Sequence, residues 1–478
     1  MITATATRTT DSLQRFGALV GLQAGPTSAA EPAVNASRAS RASPTINDHD
    51  ILTQAKASYF ATMDTYRAMG LSPSDYLGPI WSNNLEQHLI PNIRKCQTIE
   101  QAIGYLNDKA FYDFSCAEPY LTPSIDWRID FLRRTAGCEV DALPAALCES
   151  PYVLAKHCKQ VGSRLLSSDF LNRLAWVSRL QRLLDFPQQA FSILEVGGGF
   201  GALARVFKLV YPQSRVVLVD IPESLFFQHA FLNASFPNAR HQYVTSPDEA
   251  ITDADFVYVP NGFANALSQR DFYLAVNTNS FGEMPQQASS RWLDLIQHET
   301  STQNIFFLNR FMNRIGKDLM ETRHGHSNWS FNLDDRWAVK EWEVDPDYER
   351  CPYFQTTLTR NVHVVASRGA KPGVEADALR QRAELIKLED WYRRPGWSDF
   401  KLVSGAAYPP VMSRGDLDLT PDLRRTGTLY ALWSLVRLTP EPQWVEMLIT
   451  YLDYLNGQQT ELFFEEIPTL MQIHARRI

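Results

Sequence analysis

One stretch, ILEVGGGFGALARVF from Ile193 to Phe207, limits the fold of this 478-residue chain more than any other. An apolar run with one carboxylate, Glu195, is followed by glycines at positions 197, 198, 199 and 201. Apolar residues then recur at helical spacing, at Leu203, Val206, Phe207 and Val210. This order predicts a strand, a tight turn and a helix, with a turn whose backbone a ligand can approach closely.

The pattern around this stretch predicts an α/β fold. Short apolar runs such as VVLVD, FVYVP and FFLN alternate with helical stretches. Such runs suit strands buried on both faces, as in a parallel sheet covered by helices. Two later runs, WAVKEWEV and TRNVHVVAS, predict an antiparallel pair at the sheet edge. We therefore expect a Rossmann-like, doubly wound, mostly parallel sheet flanked by helical N- and C-terminal regions.

Four regions are predicted along the chain. Residues 1–45, rich in Ala, Thr and Ser, suit a disordered tail, with a transit-like segment as the alternative. Residues 46–185 are expected to form a helical N-terminal domain, residues 186–370 the Rossmann-like domain, and residues 371–478 a helical C-terminal region. The helical flanks are expected to cover an acceptor pocket or to mediate a homodimer.

Charge and cysteine content narrow the partners. Lys+Arg 46 against Asp+Glu 53 gives a net charge of −7, which predicts no general attraction to nucleic acid or to an anionic membrane. No apolar run is long enough for a membrane-spanning helix. The six cysteines form no C-x-x-C pair, so we expect mostly buried free thiols in a reducing, cytoplasmic setting.

Two kinds of ligand compete for the glycine turn. The pattern Gly197-x-Gly199-x-x-Ala202 also fits a dinucleotide, and Asp220 after the next strand suits a ribose hydroxyl in either case. Glu195 favours S-adenosylmethionine, because a carboxylate repels a pyrophosphate but attracts the ammonium group of that cofactor. The structural alternative is a turn without a ligand, in which Asp220 only caps the next helix.

The spacing E-x-G-x-G-x-G, followed by an acid after the next strand, resembles the first motif and its partner in class I S-adenosylmethionine-dependent methyltransferases. The resemblance implies that Glu195 holds the amino group and that Asp220 accepts both ribose hydroxyls. It places adenine near Asn261, although an amide there is also typical of a turn. Three glycines would admit the methionine and ribose portions: Gly197, Gly199 and Gly201.

Four segments together resemble a narrower group, the sugar O-methyltransferases of bacterial glycan and natural-product gene clusters. In chain order they are ILEVGGGFGALAR, VLVDIPESLFFQ, VNTNSFGEMP and FFLNRF, within about residues 150–368. The resemblance implies methyl transfer to a hydroxyl of a small-molecule acceptor, a sugar or a sugar-containing metabolite.

A hydroxyl acceptor has to lose a proton, so we looked for a base near the carboxyl ends of the strands. Glu283 in NTNSFGEMP is the first candidate, with pairing beside Pro285 as its structural alternative. His324 and His326 in ETRHGHSNW are the second, since histidine suits proton removal at neutral pH. They also suit half of a metal site or an ordinary loop, but no spacing requires a metal.

Asn277, in the same NTNSFGEMP segment, is predicted to hydrogen-bond the cofactor or the acceptor, because an amide cannot act as a base. Three other functions stay open from sequence. A nicotinamide-dependent oxidoreductase would use the same turn, and an N- or carboxyl-methyltransferase of a natural product or peptide would keep the cofactor. A non-catalytic methyltransferase-like scaffold would keep only the fold.

Overall fold

The computed structural model describes residues 47–72, 85–106, 118–136, 139–153, 155–284, 286–310, 333, 336–344 and 361–369. The chain forms two compact units. Unit 1 comprises Met1–Tyr76 and Asn83–Leu267, and unit 2 comprises Leu77–Ser82 and Ser268–Ile478. The predicted tail, the C-terminal region 371–478, and both His324 and His326 lie outside the described residues.

Helices make up most of the described residues in the first part of unit 1. They are α1 (Asp48–Ala68), α2 (Ile90–Lys95), α3 (Ile99–Tyr105), α4 (Glu118–Ala136) and α5 (Ser168–Leu183). A hairpin that the sequence did not suggest, β1 (Cys158–Val161) and β2 (Arg164–Ser167), precedes α5. The Ser167 side chain accepts a hydrogen bond from the Phe170 backbone and so caps α5.

Strands and helices alternate in the rest of unit 1. They are β3 (Phe191–Val196), α6 (Ala202–Val210), β4 (Ser214–Asp220), α7 (Pro222–Ser235), β5 (His241–Tyr243) and β6 (Phe256–Pro260). The strands lie in the order β5-β6-β4-β3, and each pairs with its neighbour in parallel. Helix α5 packs against α6, which fits the apolar stripe along α5. The predicted parallel arrangement is confirmed.

Unit 2 carries the remaining strands. They are β7 (Asp271–Thr278), β8 (Ser301–Arg310), β9 (Trp337–Val344) and β10 (Asn361–Arg368), with α8 (Gln286–Asp294) between β7 and β8. Strands β7 and β8 are parallel, whereas β10 is antiparallel to both β8 and β9. The expected antiparallel pair is thus β9 and β10, and the mostly parallel, Rossmann-like α/β class is confirmed. None of the described helices is both long and apolar enough to cross a bilayer.

Helix α1 packs on α7 and reaches the carboxyl ends of three strands within unit 1. The Tyr59 hydroxyl lies 3.4 Å from Glu223 Oε1, just after β4. The Thr65 hydroxyl donates to the Thr245 carbonyl (2.8 Å), just after β5. The Tyr66 hydroxyl donates to Asn261 Oδ1 (2.8 Å), directly after β6. The helix therefore borders the edge at which ligands bind in sheets of this kind.

The contact with Tyr66 also explains why position 262, directly after Asn261, is a glycine. The Gly262 N–H donates to the Tyr66 hydroxyl (2.7 Å). A Cβ at position 262 would lie 2.8 Å from both Cζ and Oη of Tyr66. Tyr66 is buried and its hydroxyl is held by two hydrogen bonds, so the ring has little freedom to move away.

We expect Gly262→Ala to lower the free energy of unfolding by about 1–3 kcal/mol, because the added methyl overpacks the contact with Tyr66. Chemical denaturation of the full chain measures this change. Gly369→Ala is the matched control, since its Cβ would meet only ordinary contacts at 3.7 Å and 3.8 Å. Equal tolerance of the two substitutions would contradict the proposed clash.

Candidate functional site

The turn after β3 has a backbone that side chains rarely allow. Gly197, Gly199 and Gly201 have φ values of +73°, +62° and +94°. The Gly197 N–H donates to the Val219 carbonyl (2.8 Å), which ties the turn to β4. The Gly201 N–H donates to the Gly198 carbonyl (2.9 Å). Left-handed φ values at three positions require glycine, so the turn presents bare backbone.

Gly201 has a second constraint. A Cβ at this position would lie 3.0 Å from Cδ1 of Leu232 on α7. The glycine therefore lets α7 approach the start of α6 closely. Its predicted role in admitting the cofactor stays a prediction, because the packing of α7 and the φ value of +94° already require glycine here.

Glu195 lies beneath this turn. Its side chain is buried, and a Cβ on Gly198 would lie 3.1 Å from its Cδ. The Ala204 backbone, in the first turn of α6, hydrogen-bonds to the carboxyl. Oε2 is buried with no hydrogen-bond partner among the described residues. A buried carboxyl oxygen without a partner costs roughly 1–3 kcal/mol, so a polar group of a ligand or a water molecule is expected beside it.

Asp220 ends β4 beside the same turn. Its Oδ1 accepts a hydrogen bond from the Ile221 N–H (2.8 Å), and its Oδ2 accepts one from Gln228 Nε2 (2.8 Å). Gln228 Nε2 also donates to the Gly199 carbonyl (3.0 Å). Gln228 is not among the predicted site residues, although a glutamine within the apolar segment SLFFQHAFL is a usable signal.

Burial raises the pKa of both acids. It raises the pKa of Glu195 to about 8, against the lowering effect of Arg173. Arg173 is itself paired with Asp169. Burial raises the pKa of Asp220 to about 7, against hydrogen bonds that favour the carboxylate. A cation beside Glu195 and hydroxyl donors beside Asp220 would both favour the charged forms.

A third buried acid, Glu223, follows Asp220 at the start of α7. Burial raises its pKa to about 7, and the Tyr59 hydroxyl is its side-chain donor. Its charge also raises the pKa of Asp220. Glu223 is not among the predicted site residues, because a glutamate in the first turn of a helix is usually a solvated residue that complements the helix dipole.

Asn261 follows β6, as expected, but its amide serves the loop. Oδ1 accepts hydrogen bonds from the Tyr66 hydroxyl (2.8 Å) and from the Gly262 N–H (3.0 Å). These two donors fix Oδ1 toward α1. The turn role is therefore observed, and the contact with adenine stays a prediction.

Asn277 ends β7 in unit 2 and is fully buried. Its Oδ1 accepts hydrogen bonds from Asn309 Nδ2 (2.8 Å) and from the Phe281 N–H (3.2 Å). Its Nδ2 donates to the Ser280 hydroxyl. The amide thus holds the short 3₁₀ turn Phe281–Glu283, and its predicted contact with a ligand stays a prediction.

Glu283 is the last residue of that turn and is half-buried. Its N–H donates to the Ser280 carbonyl (2.9 Å). The turn is further fixed by Asn279, which has a φ of +64° and donates its N–H to the Leu308 carbonyl (2.7 Å). Asparagine adopts a left-handed φ more readily than most residues, so Asn279 fixes this turn together with the buried amide of Asn277. Within the part of the chain that the structure describes, no group of three His, Cys, Asp or Glu residues suits a metal ion.

No family model matches the chain, and no curated protein matches its sequence. Among solved structures it aligns with the pyocyanin biosynthetic protein PhzM at 19% identity, over 42% of this chain and 56% of that one, with a TM-score of 0.28. It thus covers little more than half of PhzM. Function has to be inferred from this chain's own residues, because this TM-score is low.

Two further structures are similar at the same level. M. capricolum TrmK, solved with S-adenosylhomocysteine, aligns at 10% identity over 58% of this chain and 96% of that one, with a TM-score of 0.27. The mitomycin 7-O-methyltransferase MmcR aligns at 12% identity over 66% of this chain and 94% of that one, with a TM-score of 0.27.

The raised pKa of Glu195 predicts a pH-dependent stability in the absence of ligand. The unfolded carboxyl ionises near its ordinary pKa of 4.5, whereas the folded one stays protonated up to about 8. The stabilisation is therefore complete below pH 4.5 and is lost as the pH rises toward 8, by up to about 1.4 kcal/mol per pKa unit.

In Glu195→Gln this loss should disappear, so the melting temperature of the variant should rise relative to the wild type between about pH 5 and pH 8. Thermal denaturation across this range measures the difference. Asp253→Asn is the control, because the Asp253 side chain is 73% exposed. A constant difference between Glu195→Gln and the wild type would show that Glu195 is not a buried, protonated acid.

Proposed function

We propose that this chain is an S-adenosylmethionine-dependent O-methyltransferase and that the cofactor binds at the glycine turn of unit 1. The observation that supports this most is Glu195 Oε2, a buried acceptor without a described donor beneath bare backbone. The cofactor would supply a methyl group on a positively charged sulfur.

The donor that Glu195 lacks distinguishes two cofactors. The ammonium group of S-adenosylmethionine is a cationic donor, and a charge-assisted hydrogen bond to a carboxylate is strong. The pyrophosphate of a dinucleotide offers only acceptors and negative charge, so it could pair only with the protonated carboxyl and would repel the carboxylate. Asp220 lies near two further buried acids, Glu195 and Glu223, and the negative charge of the three favours a cationic ligand. The nicotinamide alternative is therefore disfavoured.

Each of these residues has a task in the proposal. The glycine turn lets the ligand approach the backbone, Glu195 holds the amino group, and Asp220 accepts a ribose hydroxyl. Asn261 lies at the carboxyl end of β6, where adenine is proposed to bind. No metal is part of the proposal.

The acceptor is proposed to be a hydroxyl of a sugar or of a sugar-containing metabolite, on the strength of the resemblance of VNTNSFGEMP and its companion segments. Glu283 is the proposed base, because buried amides and a left-handed asparagine hold its turn. His324 and His326 are the alternative bases. A placed base contributes about 10²- to 10⁴-fold to the rate, and alignment of the reacting atoms contributes the rest.

We expect the full chain to bind S-adenosylhomocysteine and not NAD(P), with an affinity that rises as the pH increases from about 6 to 8. Glu195 and Asp220 have pKa values of about 8 and 7, and the ligand favours the carboxylate form of each. Isothermal titration calorimetry measures the affinity, and buffers of different ionisation enthalpy measure the protons released.

In the same titration, Glu195→Gln should weaken binding about 10- to 100-fold and reduce proton release. Asp253→Asn is the control and should bind like the wild type. Binding of NAD(P), or no binding of S-adenosylhomocysteine at any pH, would remove the proposed function.

For the chemical step, we expect Glu283→Gln to lower kcat about 10²- to 10⁴-fold while the affinity for S-adenosylhomocysteine stays unchanged. Mass spectrometry of candidate glycosides after incubation with the cofactor detects the added methyl group. His324→Ala and His326→Ala serve as comparison variants. A full rate for Glu283→Gln would exclude this base, and a full rate for all three variants would favour a carboxylate acceptor.

A further inference from the structure

Gln228 links the acid at the end of β4 to the glycine turn. It lies in α7 with an exposed fraction of 0%. Its Nε2 donates to Asp220 Oδ2 (2.8 Å) and to the Gly199 carbonyl (3.0 Å). Both partners are acceptors, so the amide orientation is fixed with Nε2 toward them. The Gly199 backbone also hydrogen-bonds to the Asp220 carboxyl. The three residues therefore form a closed ring of hydrogen bonds.

One atom of the Gln228 amide has no role in the hydrogen bonding of the folded chain that the structure describes. Gln228 Oε1 is buried and has no hydrogen-bond partner among the described residues. An apolar side chain of similar size would remove this unpaired oxygen, but it would leave Asp220 Oδ2 and the Gly199 carbonyl without this donor. The glutamine thus serves Asp220 and the turn more than it serves the core.

We propose that Gln228 is a positioning residue for the cofactor ribose, acting through Asp220. This inference rests on the proposed function. A carboxylate has about four lone-pair positions. The Ile221 N–H, the Gln228 amide and the Gly199 backbone occupy three of them, which fixes the plane of the carboxylate and leaves one position for a ribose hydroxyl.

Gln228 also favours the ionised form of the Asp220 carboxyl, which can accept hydrogen bonds. Its hydrogen bond lowers the pKa of Asp220 and so opposes the effect of burial. Without this donor the carboxyl would rotate more freely and would be protonated more often. A protonated carboxyl offers one donor and fewer acceptor positions, and it binds a hydroxyl donor less well.

A thermodynamic cycle tests the inference on the full chain, with S-adenosylhomocysteine and its 2′,3′-dideoxyribose analogue as probes. Gln228→Leu should weaken S-adenosylhomocysteine binding about 10-fold or more, the range for a hydrogen bond to a charged group. It should weaken binding of the dideoxy analogue less than about 2-fold, because the hydroxyls through which Gln228 acts are missing. The melting temperature should fall, because two acceptors lose their donor, but this loss is the same for both probes and cancels when they are compared on one variant.

Gln181→Leu is the matched control. Gln181 lies in α5, and its Nε2 is also buried without a described hydrogen-bond partner. This variant makes the same chemical change away from Asp220, so both probes should bind as they do to the wild type. Equal weakening of both probes by Gln228→Leu, or wild-type binding of both, would overturn the positioning role.

A second variant, Gln228→Glu, adds a pH readout that packing alone would not change. It places a second carboxyl beside Asp220, and the pair can share a proton at low pH but repels at high pH. Affinity for S-adenosylhomocysteine should then fall as the pH rises, opposite to the wild type. An unchanged pH profile would contradict the inference, whereas a wild-type chain that binds neither probe would contradict the proposed function itself.

Discussion

Burial of the Glu195 carboxyl beneath the glycine turn is the constraint on which the rest of the site depends. The carboxyl lies beneath Gly198, where an added Cβ would be 3.1 Å from Glu195 Cδ, and one of its oxygens has no described donor. This arrangement is unfavourable without a ligand. Burial destabilises the charged form of the Glu195 carboxyl, and a buried oxygen without a hydrogen-bond partner has an energetic cost. The arrangement becomes favourable when a cationic donor enters, which is why a cationic cofactor explains it better than a phosphate.

Helices α7 and α1 position other residues around the glycine turn and Glu195. Helix α7 approaches Gly201 through Leu232 and sends Gln228 to Asp220 and to Gly199. Helix α1, which precedes the glycine turn by more than a hundred residues, contacts the loops after β4, β5 and β6. Polar side chains of both helices thus set the shape of the carboxyl edge in unit 1, and the strands alone would not.

Much of the fold could be predicted because its signals are local. The apolar runs of β3, β4, β6, β7 and β8 identified the strands, and WAVKEWEV with TRNVHVVAS identified the antiparallel pair. Short or polar elements escaped notice. Strand β5 has only three residues, and the β1–β2 hairpin has half-buried residues without clear alternation. Such elements are defined by their pairing partners, which no single stretch of sequence reveals.

The sequence by itself determined the βα unit, its glycine turn and the presence of Glu195 and Asp220, because turn geometry and strand burial depend on neighbouring residues. Only the tertiary structure decided which polar groups are satisfied and which are not. The amides of Asn261 and Asn277 accept hydrogen bonds within their own loops. Gln228 donates a hydrogen bond to Asp220, and one oxygen of Glu195 has no described partner. Hydrogen-bond partners and burial come from residues far apart in the chain, so they depend on packing that local sequence does not encode.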